Sequence, residues 1–146
     1  MVILRSVRNE DKDLFQNTSY GTMSPEGVGE MLSQSLGRSC DGRYFELLAV
    51  MDGDICVGFV SLYALGEKTV SCGPEIKPQY RRHGYGCVAV RVALERARLL
   101  GFTRAVAQVR RDNAASIALH RKLGFTQCRS YVNKKGHPVL EFEKEL

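Results

Sequence analysis

Residues 76–86 read Ile-Lys-Pro-Gln-Tyr-Arg-Arg-His-Gly-Tyr-Gly, a set of residue types suited to holding an anion. Gly84 and Gly86 have no side chain, so the backbone there can approach a ligand closely. A helical pattern begins at the same point. The first N–H groups of a helix lack an intrahelical acceptor, and the helix dipole adds partial positive charge to them. Lys77, Arg81 and Arg82 supply formal charge around that position. Two familiar phosphate loops do not apply, because neither G-x-x-x-x-G-K-[ST] nor G-x-G-x-x-G is present. The blander reading is a glycine-softened helix start with solvated arginines, and glycine spacing alone leaves both open.

Three further groups of residues carry potential chemistry. Asn113, Ser116 and His120 stand at i, i+3 and i+7, on one face of a short helix, with Ala115, Leu119 and Leu123 on another. Such a polar stripe is either a ligand-facing surface or simply the solvent side. Glu75 directly precedes the glycine loop, where partial burial would move its carboxyl toward neutrality; the alternative is a surface carboxylate paired with Lys77 or an arginine. The imidazole of His120 titrates near working pH and suits proton transfer, unless it is packed or solvated. Tyr131 is a third candidate. The five cysteines, Cys40, Cys56, Cys72, Cys87 and Cys128, are odd in number and form no CxxC pair. Reduced thiols are therefore expected, rather than a disulfide framework or a metal site.

The elements that must position these residues follow from pattern. Val2–Val7 is a short strand, and Asn9 is expected to cap a helix with Glu10 and Asp11 in its first turn. Ser24-Pro25-Glu26 opens a helix with Val28, Met31, Leu32 and Leu36 as its apolar stripe, and Gly37 ends it. Tyr44–Met51 and Ile55–Tyr63 are strands joined through Asp52-Gly53, a hairpin signal. Thr69–Ile76 adds a third strand and Pro78 ends it. A helix runs from Gly84 to Leu100, followed by a strand alternating at Ala105, Ala107 and Val109. Asn113–Leu123 is a short helix closed by Gly124. Phe125–Val132 and Val139–Glu143 form a hairpin around Asn133-Lys134-Lys135-Gly136. With 146 residues, 44% hydrophobic and 25% charged, the chain is expected to make one mixed α/β domain over 1–146.

Two of these blocks resemble the GNAT acetyltransferase superfamily. Arg81-Arg82-His83-Gly84-Tyr85-Gly86 is similar to its R-x-x-G-x-G/A loop, with Ile76, Pro78 and Tyr80 matching the lead-in. Asn113-Ala-Ala-Ser116, Leu119 and Lys122-Leu123-Gly124-Phe125 look like its N-x-x-S…L…K-L-G-F helix. The resemblance implies a V-shaped mixed sheet of about six to seven strands flanked by about four helices, with acyl-CoA wedged where two parallel strands splay apart. It implies that the pyrophosphate lies on the backbone of Arg82, His83, Gly84, Tyr85 and Gly86, beside Arg81. Pantetheine would pair with strand 69–76, a strand N–H near Ile76 would serve the oxyanion, and Asn113 and Ser116 would touch CoA. The region around Gln108–Asn113 is similar to the ribosomal-protein alanine N-acetyltransferases, but that branch carries a basic Glu where Gln108 stands and an acidic Tyr where His120 stands. Glu75 is then the leading base and His120 the acid for the departing thiolate.

The expected function is N-acetyl transfer from acetyl-CoA to a primary amine by direct attack, with no metal. No cysteine sits in a nucleophilic motif, so no acyl-enzyme is expected. The acceptor is a small molecule or a peptide amine. A different class of reading is a CoA-binding module that has lost turnover. The net charge of +5 also admits a nucleic-acid binder, but the basic residues gather at the glycine loop rather than in a stripe with stacking aromatics. Aminoacyl-tRNA stays among the acceptors of the fold, and a homodimer is what relatives often form. The four apolar residues before Arg5 are too few for a membrane span, and a cytoplasmic protein is expected.

Overall fold

The computed structural model describes residues 1–146. Apolar runs with β-branched and aromatic residues become seven strands: β1 (Val2–Ser6), β2 (Phe45–Asp52), β3 (Ile55–Ala64), β4 (Thr69–Ile76), β5 (Arg104–Arg110), β6 (Thr126–Val132) and β7 (Pro138–Glu145). The periodic segments become α1 (Pro25–Leu36), α2 (Tyr85–Leu99) and α3 (Ala114–Lys122). Short 3₁₀ turns occupy Asn9–Phe15, Ser19–Thr22 and Pro78–Tyr80. All strands join one sheet in the order β1-β2-β3-β4-β5-β7-β6, and every neighbouring pair is antiparallel except β4 and β5.

The sheet is covered on both faces, but unevenly. In β2 the run Leu47–Met51 is buried throughout, as a strand sandwiched between helices requires. Leu48 and Val50 face a large core with Ala89, Val90, Ala93, Leu94 and Ala97 of α2, joined by Leu123, Phe125 and Phe142. Leu47, Ala49 and Met51 face a smaller core with Phe15, Met31, Leu32 and Phe59. That second core lies over β1–β3 only. The same face of β4, β5 and β7 carries mostly polar side chains.

Glu46 is fully buried at the start of β2. Arg96 of α2 holds it with two hydrogen bonds of 2.6 and 2.9 Å, and the Ser6 hydroxyl and the Tyr44 hydroxyl donate to it at 2.6 and 2.5 Å. Burial pushes its carboxyl up, but the Arg96, Ser6 and Tyr44 bonds together hold it below its ordinary range. This pins α2, and so the glycine loop at its start, to β1 and β2.

Two local expectations change. The helix at residue 9 is a 3₁₀ turn capped at Arg8, whose N–H donates to Asp11 at 2.7 Å while the Arg5 guanidinium donates to both oxygens of that carboxylate. The inner face of α1 carries Ser35 rather than Leu36. The Ser35 hydroxyl accepts from the Leu47 N–H at 2.9 Å, and Leu36 turns outward. Residues 17–27, rich in Gly, Ser and Thr, contain the 3₁₀ turn Ser19–Thr22. No helix is long and apolar enough to cross a membrane.

Candidate functional site

β4 and β5 run parallel for three rungs, Thr69–Arg104, Val70–Ala105 and Ser71–Val106, and then part. Cys72–Ile76 and Ala107–Arg110 continue with no pairing between them, so the sheet opens as a wedge. The antiparallel ladders on either side show which backbone groups line it. Lys77 N–H donates to the Val57 carbonyl and Leu65 N–H to the Thr69 carbonyl, so the odd residues of β4 bond to β3. Alternation then aims positions 72, 74 and 76 at the wedge. Position 74 is proline, tolerated in a central strand because its missing N–H falls on the unpaired side. Ile76 thus brings a strand N–H to the wedge, while its carbonyl accepts from the Arg81 guanidinium at 3.1 Å. In β5, Arg111 N–H donates to the Pro138 carbonyl, so odd residues bond to β7 and Gln108 and Arg110 face the wedge.

At the end of β4 the chain makes the 3₁₀ turn Pro78–Tyr80, passes Arg82 at φ 65° and Gly84 at φ 80°, and enters α2. Arg82, His83, Gly84, Tyr85, Gly86 and Cys87 all lack a protein acceptor for their N–H groups; the first bond of the helix is Val88 N–H to the Gly84 carbonyl. This is a continuous row of donors at a helix N-terminus. The two glycines do different work. A Cβ on Gly84 would meet nothing within 4 Å, so it is the left-handed backbone there that favours glycine. A Cβ on Gly86 would lie 2.7 Å from Leu119 Cδ1, so Gly86 lets α3 pack beside the α2 start. Arg81, Arg82 and His83 are exposed around the row, and the His83 ring bonds the Arg81 carbonyl at 2.7 Å. Tyr85 is tied back to Asp52 at 2.6 Å.

Asn113 caps α3, its side chain accepting from Ser116 N–H at 3.1 Å. The expected polar stripe breaks at His120, which is 1% exposed. Its ring stacks on Phe142, meets Phe125 edge-on, and binds the Ser116 carbonyl through Nδ1 at 2.8 Å. A carbonyl accepts only, so Nδ1 carries the proton and Nε2, buried without a partner, is bare. Burial lowers the imidazole pKa, opposed by the Ser116 carbonyl. As placed, the Nδ1 proton is committed to the Ser116 carbonyl inside the fold.

Glu75 lies on the polar face of β4. Both its oxygens are engaged by Ser19: the N–H donates at 2.7 Å and the hydroxyl makes a short hydrogen bond. The carboxylate therefore anchors the Ser19–Thr22 turn at the wedge. The roles expected of Glu75 as base and His120 as acid do not follow from this geometry. What sequence reading missed is a line of side chains running from the wedge across this face. The Ser71 hydroxyl donates to Gln108 Oε1 at 3.4 Å, and Gln108 Nε2 donates to Glu141 Oε1 at 3.4 Å. Tyr131 is farther out on β6, under the Arg129 guanidinium at 4.7 Å. The register of β5 against β7, invisible to a linear reading, creates the Gln108–Glu141 pair.

The sequence profile of the GNAT acetyltransferase domain matches residues 2–126. No curated protein sequence matches the chain. Among solved structures, a Vibrio cholerae spermidine N-acetyltransferase in complex with CoA and spermine superposes with a TM-score of 0.84 at 15% identity, over 99% of this chain and 95% of that one. A Brucella melitensis ribosomal-protein-alanine N-acetyltransferase gives 0.80 at 23%, over 99% of both chains. A putative acetyltransferase from Salmonella typhimurium with acetyl-CoA gives 0.76 at 18%, over 99% and 93%.

Proposed function

The chain belongs to the GNAT acetyltransferase family, and from that premise we propose that it moves the acetyl group of acetyl-CoA to a primary amine by direct attack in a ternary complex. The observation that carries this reading is the row of unbonded N–H groups from Arg82 to Cys87 at the mouth of the β4–β5 wedge. A pyrophosphate is the anion such a row fits, and Arg81 and Arg82 add charge near it. The wedge-facing backbone of β4 offers an extended amide chain a strand to pair with. Cofactor contacts are assigned to Ile76, Arg81, Arg82, His83, Gly84, Tyr85 and Gly86. Asn113 spends its carbonyl oxygen on capping, so only its amide N–H₂ and the Ser116 hydroxyl are left for CoA. CoA or acetyl-CoA bound in solved relatives supports the donor, and spermine bound in one supports an amine acceptor.

The transfer needs a deprotonated nitrogen, because an alkylamine with a pKa of about 10 is a cation at neutral pH. The Ile76 N–H is placed to donate to the oxyanion that forms on the thioester carbonyl. Glu75 orders the Ser19–Thr22 turn beside the acceptor, and His120 supports α3 from within. A CoA-binding module without turnover is the second reading, favoured by Gln108 and by the bare Nε2 of His120. Calorimetry with acetyl-CoA, together with free-thiol release over an amine panel, separates the two. We expect a dissociation constant of about 1–10 μM, near −7 to −8 kcal/mol, and amine-dependent thiol release. Binding with no release from any amine would leave the binding module, and no binding would remove both.

A further inference from the structure

We propose that Glu141 of β7 is the carboxylate that takes the proton from the acceptor ammonium, with Gln108 as the positioning residue that aims it. This rests on the transferase reading above. Gln108 and Glu141 are register partners in the β5–β7 ladder. They form a non-hydrogen-bonded rung, since the bonded pairs are the odd residues of β5, as Arg111 N–H to Pro138 and Leu146 N–H to Thr103 show. In such a rung the Cα atoms approach to about 4.5 Å and the side chains lie close together. Both side chains stand on the face of the sheet opposite α2 and α3.

The amide is oriented by what it touches. Ser71 is the last β4 residue paired with β5, so its hydroxyl marks the point where the wedge opens. It donates to Gln108 Oε1, which turns the Gln108 N–H₂ toward Glu141 Oε1. A glutamine cannot accept a proton from an amine at neutral pH, but its fixed amide delivers a carboxylate from one strand away. Glu141 is also the more sheltered of the two, its side chain 14% exposed. The charged and titratable groups facing it are Arg129 of β6, with Nε 3.5 Å from Oε2, and the Cys128 thiol at 3.6 Å. One rung along, Arg104 and Glu143 pair with each other. The distance of 3.5 Å to Arg129 leaves Glu141 without the close bidentate clamp that Arg96 puts on Glu46. Glu141 Oε1, which has only the long Gln108 contact, is the oxygen available to an ammonium.

The proton balance is complete without another reactant. Glu141 removes one proton from the ammonium, and the nitrogen lone pair forms the C–N bond at the thioester carbonyl. Collapse of the tetrahedral adduct breaks the C–S bond. The proton still on nitrogen passes to the departing thiolate, giving CoA thiol, and Glu141 returns its proton to solvent.

The test is a pH–rate profile of thiol release from pH 6 to 9 at saturating acetyl-CoA. The probe amines are spermine, tyramine and a peptide with an N-terminal alanine, and acetyl-CoA affinity is measured in parallel. Glu141→Gln should lower kcat/KM at pH 7 by at least about 100-fold, the lower end of the usual range for a lost general base. The deficit should shrink toward pH 9, and acetyl-CoA affinity should hold. The exchanged variant E141Q/Q108E, which returns a carboxylate to the same rung, should recover part of the neutral-pH rate. Wild-type rates in Glu141→Gln at every pH would overturn the assignment. So would a deficit that is uniform with pH and unrescued by the exchange, which marks a structural role. If the wild type binds acetyl-CoA but releases no thiol with any probe, the transferase reading fails, and this assignment with it.

Discussion

One side of the wedge is built from the backbone of a single segment, Ile76–Cys87, and the other from side chains delivered by Ser19, Ser71, Glu75, Gln108 and Glu141. The first side recognises an anion through N–H groups that every residue except proline owns. It needs only glycine where the backbone must turn and arginines for charge. The second must handle an amine and a proton, and it uses groups that β4, β5, β7 and a 3₁₀ turn bring together. On the proposed reading the donor substrate meets main chain, contiguous and insensitive to most side-chain changes, and the acceptor meets side chains, dispersed and easily altered.

The comparison breaks most readily at Gly84. Gly84→Val forces a β-branched residue into φ 80° and fills the space beside the donor row, at a strain of about 1–3 kcal/mol before any lost contact. Acetyl-CoA affinity should fall by at least about 100-fold in calorimetry, some 2.7 kcal/mol. Gly86→Ala should weaken binding only by about a few-fold, because only the end of the Leu119 side chain must move aside, and Leu119→Ala in the same chain should restore it. Equal rescue of Gly84→Ala by Leu119→Ala would show that the two glycines are not distinct.

A smaller effect is expected from removing the formal charge. R81A/R82A should weaken acetyl-CoA binding by about tenfold at low ionic strength, with the gap closing as salt screens the exposed charges. A gap independent of salt would mean that the arginines act by shape. On the other wall, Ser19→Ala removes one bond to Glu75 and should loosen the Ser19–Thr22 turn. The KM for the amine should rise by about threefold to tenfold, as the loss of about 0.5–1.5 kcal/mol for one ordinary hydrogen bond gives, while acetyl-CoA affinity stays. A change in acetyl-CoA affinity instead would join the two walls that the structure keeps apart.

The mildest prediction concerns His120, buried beneath α3 against Phe125 and Phe142. Its folded pKa lies below the ordinary 6.5 because burial disfavours the imidazolium. The unfolded chain therefore binds more protons below pH 6.5, and His120 makes stability fall as pH drops through and below that value toward the folded pKa. His120→Phe removes this penalty and the unpartnered Nε2, and forfeits the bond to Ser116. Denaturant unfolding should give stability within about 1 kcal/mol of wild type at pH 7.5, with a flatter decline toward pH 5.5. An unchanged slope would place the pH dependence elsewhere.

The amino-acid order by itself determined most of the elements. Thr69–Ile76 reads as a strand, Ser24 caps α1, and Gly84 marks the start of α2, because each depends on neighbours within a few residues. Asn113 and Ser116 were legible as a pair, although Asn113 proves to be the α3 cap. Only the tertiary structure decided the acceptor side. Whether His120 faces solvent or Phe142 depends on how α3 packs on the sheet, and helical spacing cannot tell the two apart. Glu75 reads as a base or as a partner of Lys77 or an arginine, whereas Ser19, 56 residues away, holds both its oxygens. Gln108 meets Glu141 because β7 returns antiparallel to β5 in one register, and a slip of one residue would send both side chains to opposite faces. Local sequence sets backbone conformation and its donors, whereas long-range pairing decides which side chains share a face.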